Sequence, residues 1–122
     1  MTDGSNEAAG GEAPRELLPG TLDLLVLEAL SHGDMHGWGL AQRIEKMSDG
    51  ALAISQGSLY PALQRLKRKG WVRSEWQKTE NNRRARYYRL TPDGAEQLGR
   101  ERESWQWAFR AVNRVLAWEE GV

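Results

Sequence analysis

Apolar residues recur at helical intervals over three separate segments in the first part of the chain. The first stripe, spaced i, i+3, i+4, i+7 and i+8, is Leu22, Leu25, Val26, Ala29 and Leu30. A second helix is predicted from about Gly37 to Met47, where the Asp49-Gly50 pair breaks it. Two amphipathic helices joined by a short turn therefore precede the third segment.

The third segment, SQGSLYPALQRLKRKGW from Ser55 to Trp71, reads as a helix that contains a proline. Its core-facing positions are Leu59, Ala62, Leu63 and Leu66, and its opposite face centres on Gly57, Pro61, Gln64 and Arg68. If Ser58 is the N-cap, Pro61 falls in the first turn, where its missing N–H needs no partner. If Ser55 is the N-cap, the proline removes one helical hydrogen bond. The sequence leaves both alternatives open.

The hydrophobic period changes after Gly70, where a helix-ending glycine follows a lysine. WVRSEWQ (71–77) and ARYYRLT (85–91) are rich in aromatic residues and other strand formers. Between them lies KTENNRR, in which Asn81-Asn82 is the predicted tip because asparagine tolerates left-handed geometry. These segments predict a two-stranded hairpin with a basic loop.

A long final helix is predicted to follow the hairpin. Thr91 is its predicted cap, Pro92 suits the first turn, and the helix is expected to continue to about Trp118. Several of its apolar residues repeat at seven-residue intervals, which is typical of a helix that pairs with another helix. The predicted dimer interface comprises Leu98, Trp105, Ala108, Phe109, Val112, Val115 and Leu116.

Charge is distributed unevenly, although the formal net charge of the 122 residues is zero. Residues 55–91 carry ten Lys or Arg against two Glu, a net charge of +8, whereas residues 1–16, 17–54 and 92–122 carry −3, −3 and −2. A basic block in an otherwise acidic chain indicates a polyanionic partner. A solvated basic helix face is the alternative explanation of the same charges.

Composition sets the expected domain organisation. Residues 1–16 have no apolar periodicity and are predicted to form a disordered tail; a DNA-binding domain is expected at 17–91, the long helix at 92–118 and a frayed end at 119–122. The chain has no cysteine, and its longest apolar run, LLVLEAL, is interrupted by a glutamate and preceded by an aspartate. We therefore expect a cytoplasmic protein with no disulfide scaffold and no membrane partner.

Three helices, a hairpin and a long helix predict a mainly α fold with a small β-hairpin, namely a winged helix-turn-helix followed by a dimerisation helix. In such a fold one helix enters the major groove of DNA and the wing contacts the phosphate backbone. The recognition helix is expected at about 56–69 and the wing at 78–86. The candidate DNA-binding residues are Gln56, Ser58, Tyr60, Gln64, Arg65, Asn82, Arg83, Arg84 and Arg86.

Several of these candidates also have ordinary structural explanations. Tyr60 could pack against a neighbouring loop, Arg83 and Arg84 could belong to a solvated turn, and Arg86 could pair with Glu75 across the hairpin. His36, at the predicted start of the second helix, is a further candidate for a phosphate contact. His32 and His36 do not form a metal pair in this sequence, because Gly33 and Asp34 interrupt the helix that their spacing would require.

The sequence resembles the PadR family of bacterial transcriptional regulators, most closely its short-tailed members. The resemblance rests on LLPGTLDLLVLEALSHGDMHGWGLAQRI, QGSLYPALQRLKRKGWV and ENNRRARYYRLTPDG, and it covers about residues 17–118. It implies a homodimer held largely by the last helix, bound to a pseudo-palindromic operator in double-stranded DNA, and most such regulators repress. It also implies that a small aromatic effector can bind near the dimer interface, with Trp105 as the first candidate. Trp38 departs from the family pattern, which often has tyrosine there.

Two other function classes agree less well with the sequence. A winged helix can serve protein–protein contact, but the basic outward face of residues 55–91 favours DNA. An enzyme requires a nucleophile and a base, or a metal, gathered in a pocket, and the sequence offers no such group of residues. We therefore expect neither enzyme activity nor a cofactor.

Overall fold

Four helices and three strands make up the part of the chain that a computed structural model describes, residues 20–121. Their order is α1 (Thr21–Leu30), β1 (Met35–His36), α2 (Gly37–Met47), α3 (Gln56–Arg68), β2 (Val72–Lys78), β3 (Arg84–Leu90) and α4 (Pro92–Leu116). The tail predicted at 1–16 lies outside the described residues.

The core lies where α1, α2 and α3 meet the sheet. Its largest fully buried side chains are Val26, Leu27, Leu40, Leu59, Leu63, Leu66 and Val72. Arg43 joins the first two helices, because its Nη1 donates to the carbonyl oxygens of Ala29 and Gly33, both at 2.8 Å. These bonds link α2 to the last turn of α1 and to the turn that follows it.

The sheet has three antiparallel strands in the order β1-β3-β2. β1 was not predicted, since two residues carry no periodicity and the strand exists only by pairing with Tyr87 and Tyr88 of β3. Among the described residues, the helices and this small sheet form a winged helix fold, which confirms the predicted fold class and adds one strand to the hairpin.

α4 begins as the sequence indicates. The Thr91 hydroxyl accepts a hydrogen bond from the Gly94 amide at 3.0 Å and donates one to the Gly70 carbonyl at 2.7 Å. The first half of the helix packs on α1, where Arg102 pairs with Glu28. The helix ends at Leu116, two residues before the predicted end, and residues 119–121 lie beyond it.

Candidate nucleic-acid interface

Ser55, and not Ser58, caps the recognition helix α3. Its hydroxyl accepts a hydrogen bond from the Ser58 amide at 3.1 Å, and its carbonyl accepts one from the Leu59 amide at 2.9 Å. Pro61 is therefore the sixth residue of the helix, beyond the first turn. Because proline has no N–H, the carbonyl of Gly57 lacks the donor that normally lies four residues ahead.

The outward face of α3 is polar and compact. Gln56, Gly57 and Pro61 are exposed, and the Tyr60 side chain is 58% exposed. A Cβ built on Gly57 would approach only the Ser55 hydroxyl, at 3.8 Å, so this face is sterically open. A duplex could approach the helix closely here, as predicted from the small residues.

Two predicted contact residues of α3 are occupied within the protein. Arg65 donates from Nη2 to Oδ1 of Asp23 on α1 at 2.8 Å and so links α3 to α1. Its side chain remains 43% exposed, and its contact with DNA stays a prediction. The Ser58 hydroxyl contacts that of Ser55 at 3.1 Å, and Ser58 is only half-exposed.

His36 lies between the sheet and the start of α2. Its Nδ1 accepts a hydrogen bond from the Gly39 amide at 3.0 Å, so the ring caps α2 and keeps Nε2 for donation. The ring also packs edge-on against Tyr87, with centroids 5.2 Å apart. Trp38, two residues further on, is 63% exposed. The predicted phosphate contact of His36 is compatible with this arrangement.

The wing is the loop and strand ends between β2 and β3. Asn82 adopts a φ of 62°, and its amide donates to the Thr79 carbonyl at 2.9 Å, as the predicted tip requires. Arg83 and Arg84 are exposed beside it. Arg86 does not pair with Glu75: its guanidinium carbon lies 5.3 Å from the ring centroid of Trp76.

Glu75 lies on the other face of the hairpin and neighbours Arg89 instead. Arg89 donates from Nε to Asp34 at 3.0 Å, and its Nη2 lies 3.9 Å from Glu75. The hydrogen bond from Arg89 to Asp34, and the charges of both carboxylates, raise the pKa of the guanidinium further above its usual value. Asp34 and Glu75 therefore lie beside Arg89, and within residues 20–121 no carboxylate lies within 4.0 Å of a wing arginine.

A hollow of about 510 Å³ separates the first turn of α3 from the wing. Residues from three predicted elements line it: His36, Gly37, Trp38, Gln56, Tyr60, Leu63, Thr79, Asn81, Arg83, Arg84, Ala85, Arg86 and Tyr88. Tyr88, at its floor, is almost fully buried, and burial together with the nearby Tyr60 raises the pKa of its phenol. The structure thus brings together the exposed α3 residues and the three wing arginines. Gln64 is half-buried and lies outside this lining.

α4 presents an apolar surface that nothing covers in the described chain. Of the predicted interface residues, the exposed ones are Trp105, Phe109, Val112, Val115 and Leu116, with Ala108 half-buried. The prediction was wrong for Leu98, which is 6% exposed and packs in the core of its own chain. The first half of α4 packs on α1, so the apolar residues on that side are buried within the chain.

Trp76 contacts the wing arginines, although the sequence did not indicate this role. Its indole lies 5.2 Å from the guanidinium carbon of Arg84 as well as 5.3 Å from that of Arg86. Trp76 and Arg86 are directly opposite in the hairpin. This pairing depends on the strand register, which is known only from the structure. Within residues 20–121 no three His, Cys, Asp or Glu side chains form a metal-binding group, and no helix has the length and apolarity needed to cross a bilayer.

Comparisons with known proteins agree with this geometry. The family model described as the transcriptional regulator PadR-like family matches residues 26–100. The chain is 33% identical over 98 residues to transcriptional regulator Rv3488 of Mycobacterium tuberculosis, covering 80% of this chain and 88% of that protein. It is 31% identical over 100 residues to transcriptional regulator YqjI of Escherichia coli, covering 82% of this chain but only 46% of that protein.

Solved structures show the same fold. A PadR-like transcriptional regulator from Bacillus cereus superposes with a TM-score of 0.70 at 27% identity, covering 82% of this chain and 95% of its own. A transcriptional regulator from Clostridium thermocellum gives a TM-score of 0.71 at 29% identity, covering 78% and 89%. Members of the matched family are transcriptional regulators and not enzymes. The family match covers α2, α3, the whole hairpin and the start of α4, and it establishes that this chain belongs to the PadR-like family of transcriptional regulators.

Proposed function

We propose that this chain is a sequence-specific DNA-binding repressor that binds a pseudo-palindromic operator as a homodimer. The observation that carries the proposal is the shared surface of α3 and the wing, where Arg83, Arg84 and Arg86 face the exposed start of the helix across one hollow. A helix that enters the major groove and a basic wing that contacts phosphates would use this surface together.

Direct reading of bases falls to the polar residues on the outward side of α3. Gln56 and Gln64 carry amide groups that can pair with the edge of adenine, and Tyr60 can donate to a phosphate or a base. Gly57 has no side chain and Pro61 has a compact one, which supports close approach of the duplex to this face of the helix. Ser58 and the amides of the first turn suit a phosphate at the helix N-terminus.

The dimer is proposed to form through the second half of α4. Among the described residues, six of the eleven exposed large hydrophobic side chains lie on this helix. An apolar surface of this extent is unusual for a monomer and is typical of an interface. A two-fold dimer would present two recognition helices to half-sites one helical turn apart, about 34 Å, or a multiple of it.

Fluorescence anisotropy with the DNA upstream of the chain's own gene tests the proposal. A scrambled duplex of equal length is the control, and both are titrated at several salt concentrations. We expect selective binding whose affinity falls steeply with salt, by about 0.9 log units per log unit of salt for each phosphate contacted. The protein-partner alternative is favoured if neither duplex binds at low salt. Footprinting then gives the half-site spacing, and a reporter assay gives the direction of regulation.

Two groups of variants separate the proposed roles. Replacing Arg83 and Arg84 together by alanine should weaken binding to all sequences and lower the salt slope by about 1.8 per protomer. Replacing Tyr60 or Gln64 should change sequence preference more than the salt slope. If both groups behave alike, the division between recognition helix and wing is wrong.

The small aromatic effector predicted at Trp105 stays a prediction. Trp105 stacks on Phe109, with ring centroids 5.0 Å apart and planes at 13°, so a flat ligand would have to use the opposite face of the indole. That face can be tested with Trp105→Ala in a protein whose dimer is shown to be intact by sedimentation. An unchanged ligand response would remove Trp105 from the effector site.

A further inference from the structure

The hairpin has two faces of opposite electrostatic character. Side chains alternate along a strand, so the β2–β3 register places Ser74, Trp76 and Lys78 on one face, opposite Tyr88, Arg86 and Arg84 respectively. We call Trp76, Lys78, Arg84 and Arg86 the wing face. It carries three cations and no acid, whereas the other face holds Glu75 beside Arg89.

Nothing acidic compensates the wing face in the described structure. Neither Arg84 nor Arg86 has a carboxylate within 4.0 Å among residues 20–121. Lys78 lies directly opposite Arg84, an arrangement of like charges that destabilises a strand pair. Left alone, these long side chains would move apart and lose a common orientation.

Trp76 is the group that holds two of them. The guanidinium carbons of Arg84 and Arg86 lie 5.2 Å and 5.3 Å from its ring centroid, within the range of a cation–π contact. The indole is nevertheless 54% exposed, so it contributes little to the core. A large aromatic side chain on a solvated strand face is therefore explained by the arginines that it contacts and not by burial.

We propose that Trp76 is a positioning residue of the wing, which aligns the guanidinium groups of Arg84 and Arg86 for DNA phosphates before the DNA arrives. The inference rests on the proposed function and deepens it. An arginine already restrained loses less conformational freedom on binding, so the same phosphate contact gives higher affinity. Tryptophan provides the strongest cation–π face, which accounts for its use over a smaller aromatic residue.

The matched pair Trp76→Phe and Trp76→Leu tests the idea, because both keep an apolar side chain but only the first keeps an aromatic face. The ordering cost of two arginine side chains that are no longer restrained predicts that Trp76→Leu weakens operator binding by about fivefold to a hundredfold per protomer. Trp76→Phe should recover most of that loss. Thermal unfolding by circular dichroism should be nearly the same for both variants, since Trp76 is exposed.

A double-mutant cycle distinguishes positioning from direct contact. In the Arg84→Ala/Arg86→Ala background, Trp76→Leu should have no further effect on affinity, because there is nothing left to position. If the loss persists in that background, Trp76 contacts the DNA itself or supports the fold, and the proposal is overturned. Equal affinity of Trp76→Leu and wild type overturns it as well. So does an unchanged salt slope in Arg84→Ala/Arg86→Ala, because the arginines would then contact no phosphate.

A measurement without DNA keeps this inference separable from the proposed function. In the free wild-type protein, the NMR signals of the Arg84 and Arg86 side chains should be shifted upfield by the indole ring current, and Trp76→Leu should abolish the shift. Signals at ordinary positions in the wild type would refute the positioning role directly. If the signals are shifted upfield as expected but the protein binds no duplex, the proposed function is refuted, and the DNA role of Trp76 with it.

Discussion

Pro61→Ala should stabilise the protein, although replacing a proline usually lowers stability. Pro61 is the sixth residue of a helix capped by Ser55, so it deprives the Gly57 carbonyl of a hydrogen bond and forces Tyr60 into a helical geometry that a following proline disfavours. Its ring is exposed, so alanine loses little packing. The substitution restores the missing N–H at the position where the helix lacks it.

The size of the effect follows from opposing contributions. Proline in a helix interior is about 3 kcal/mol less favourable than alanine, which sets the upper limit. A recovered hydrogen bond is worth about 0.5–1.5 kcal/mol, and the greater freedom of the unfolded alanine chain removes about 0.4–1 kcal/mol. Relief of the clash between the proline ring and the preceding turn adds to the gain. We expect a net stabilisation of about 1–2 kcal/mol, which raises Tm by roughly 4–16 °C.

Differential scanning calorimetry at a fixed protein concentration measures this shift, because the Tm of the proposed dimer would depend on concentration. Ser55→Ala is the paired variant, expected to cost about 0.5–2 kcal/mol through loss of the cap. An unchanged or lower Tm for Pro61→Ala would refute the reasoning. It would indicate that proline stabilises this helix through the unfolded chain, as it would if Ser58 were the functional cap.

Three further predictions concern packing and charge. Gly94→Ala should cost more than about 2 kcal/mol in a denaturant titration, because its Cβ would lie 2.1 Å from the Trp71 carbonyl oxygen. Arg65→Ala should lower stability by about 0.5–1 kcal/mol through loss of the Asp23 ion pair, with little change in sequence preference. Tyr88→Phe should reduce the loss of stability above pH 10, because burial raises the pKa of the folded Tyr88 phenol. The phenol's contribution to the free energy of unfolding is complete below the unfolded pKa of about 10 and disappears as pH rises through the folded pKa.

Each of these predictions has a matched control in the chain. Gly99, in the same helix, has open space where a Cβ would be, so Gly99→Ala should be neutral or stabilising by up to about 1 kcal/mol. Asp23→Asn should reproduce the stability loss of Arg65→Ala. The unfolding free energy of Tyr88→Phe at pH 7 gives the baseline against which its alkaline profile is compared. A destabilised Gly99→Ala, or a Tyr88→Phe variant with the wild-type alkaline profile, would contradict the packing described for that residue.

The sequence by itself determined the features that depend on neighbouring residues. The four helices, the Thr91 cap and the left-handed Asn82 were all predicted, because periodicity, capping and turn geometry are local properties of the chain. The outward face of α3 was predicted for the same reason. The sequence also carried the motifs that indicate the family.

Only the tertiary structure decided the features that depend on distant partners. β1 exists because two residues pair with β3, and Arg65 turns to Asp23 because α1 lies beside it. Leu98 packs in the core of its own chain, and Trp76 contacts two arginines, because other elements lie beside them. Each contact joins residues of different elements, and their relative position follows from strand register and helix packing, which no local pattern specifies.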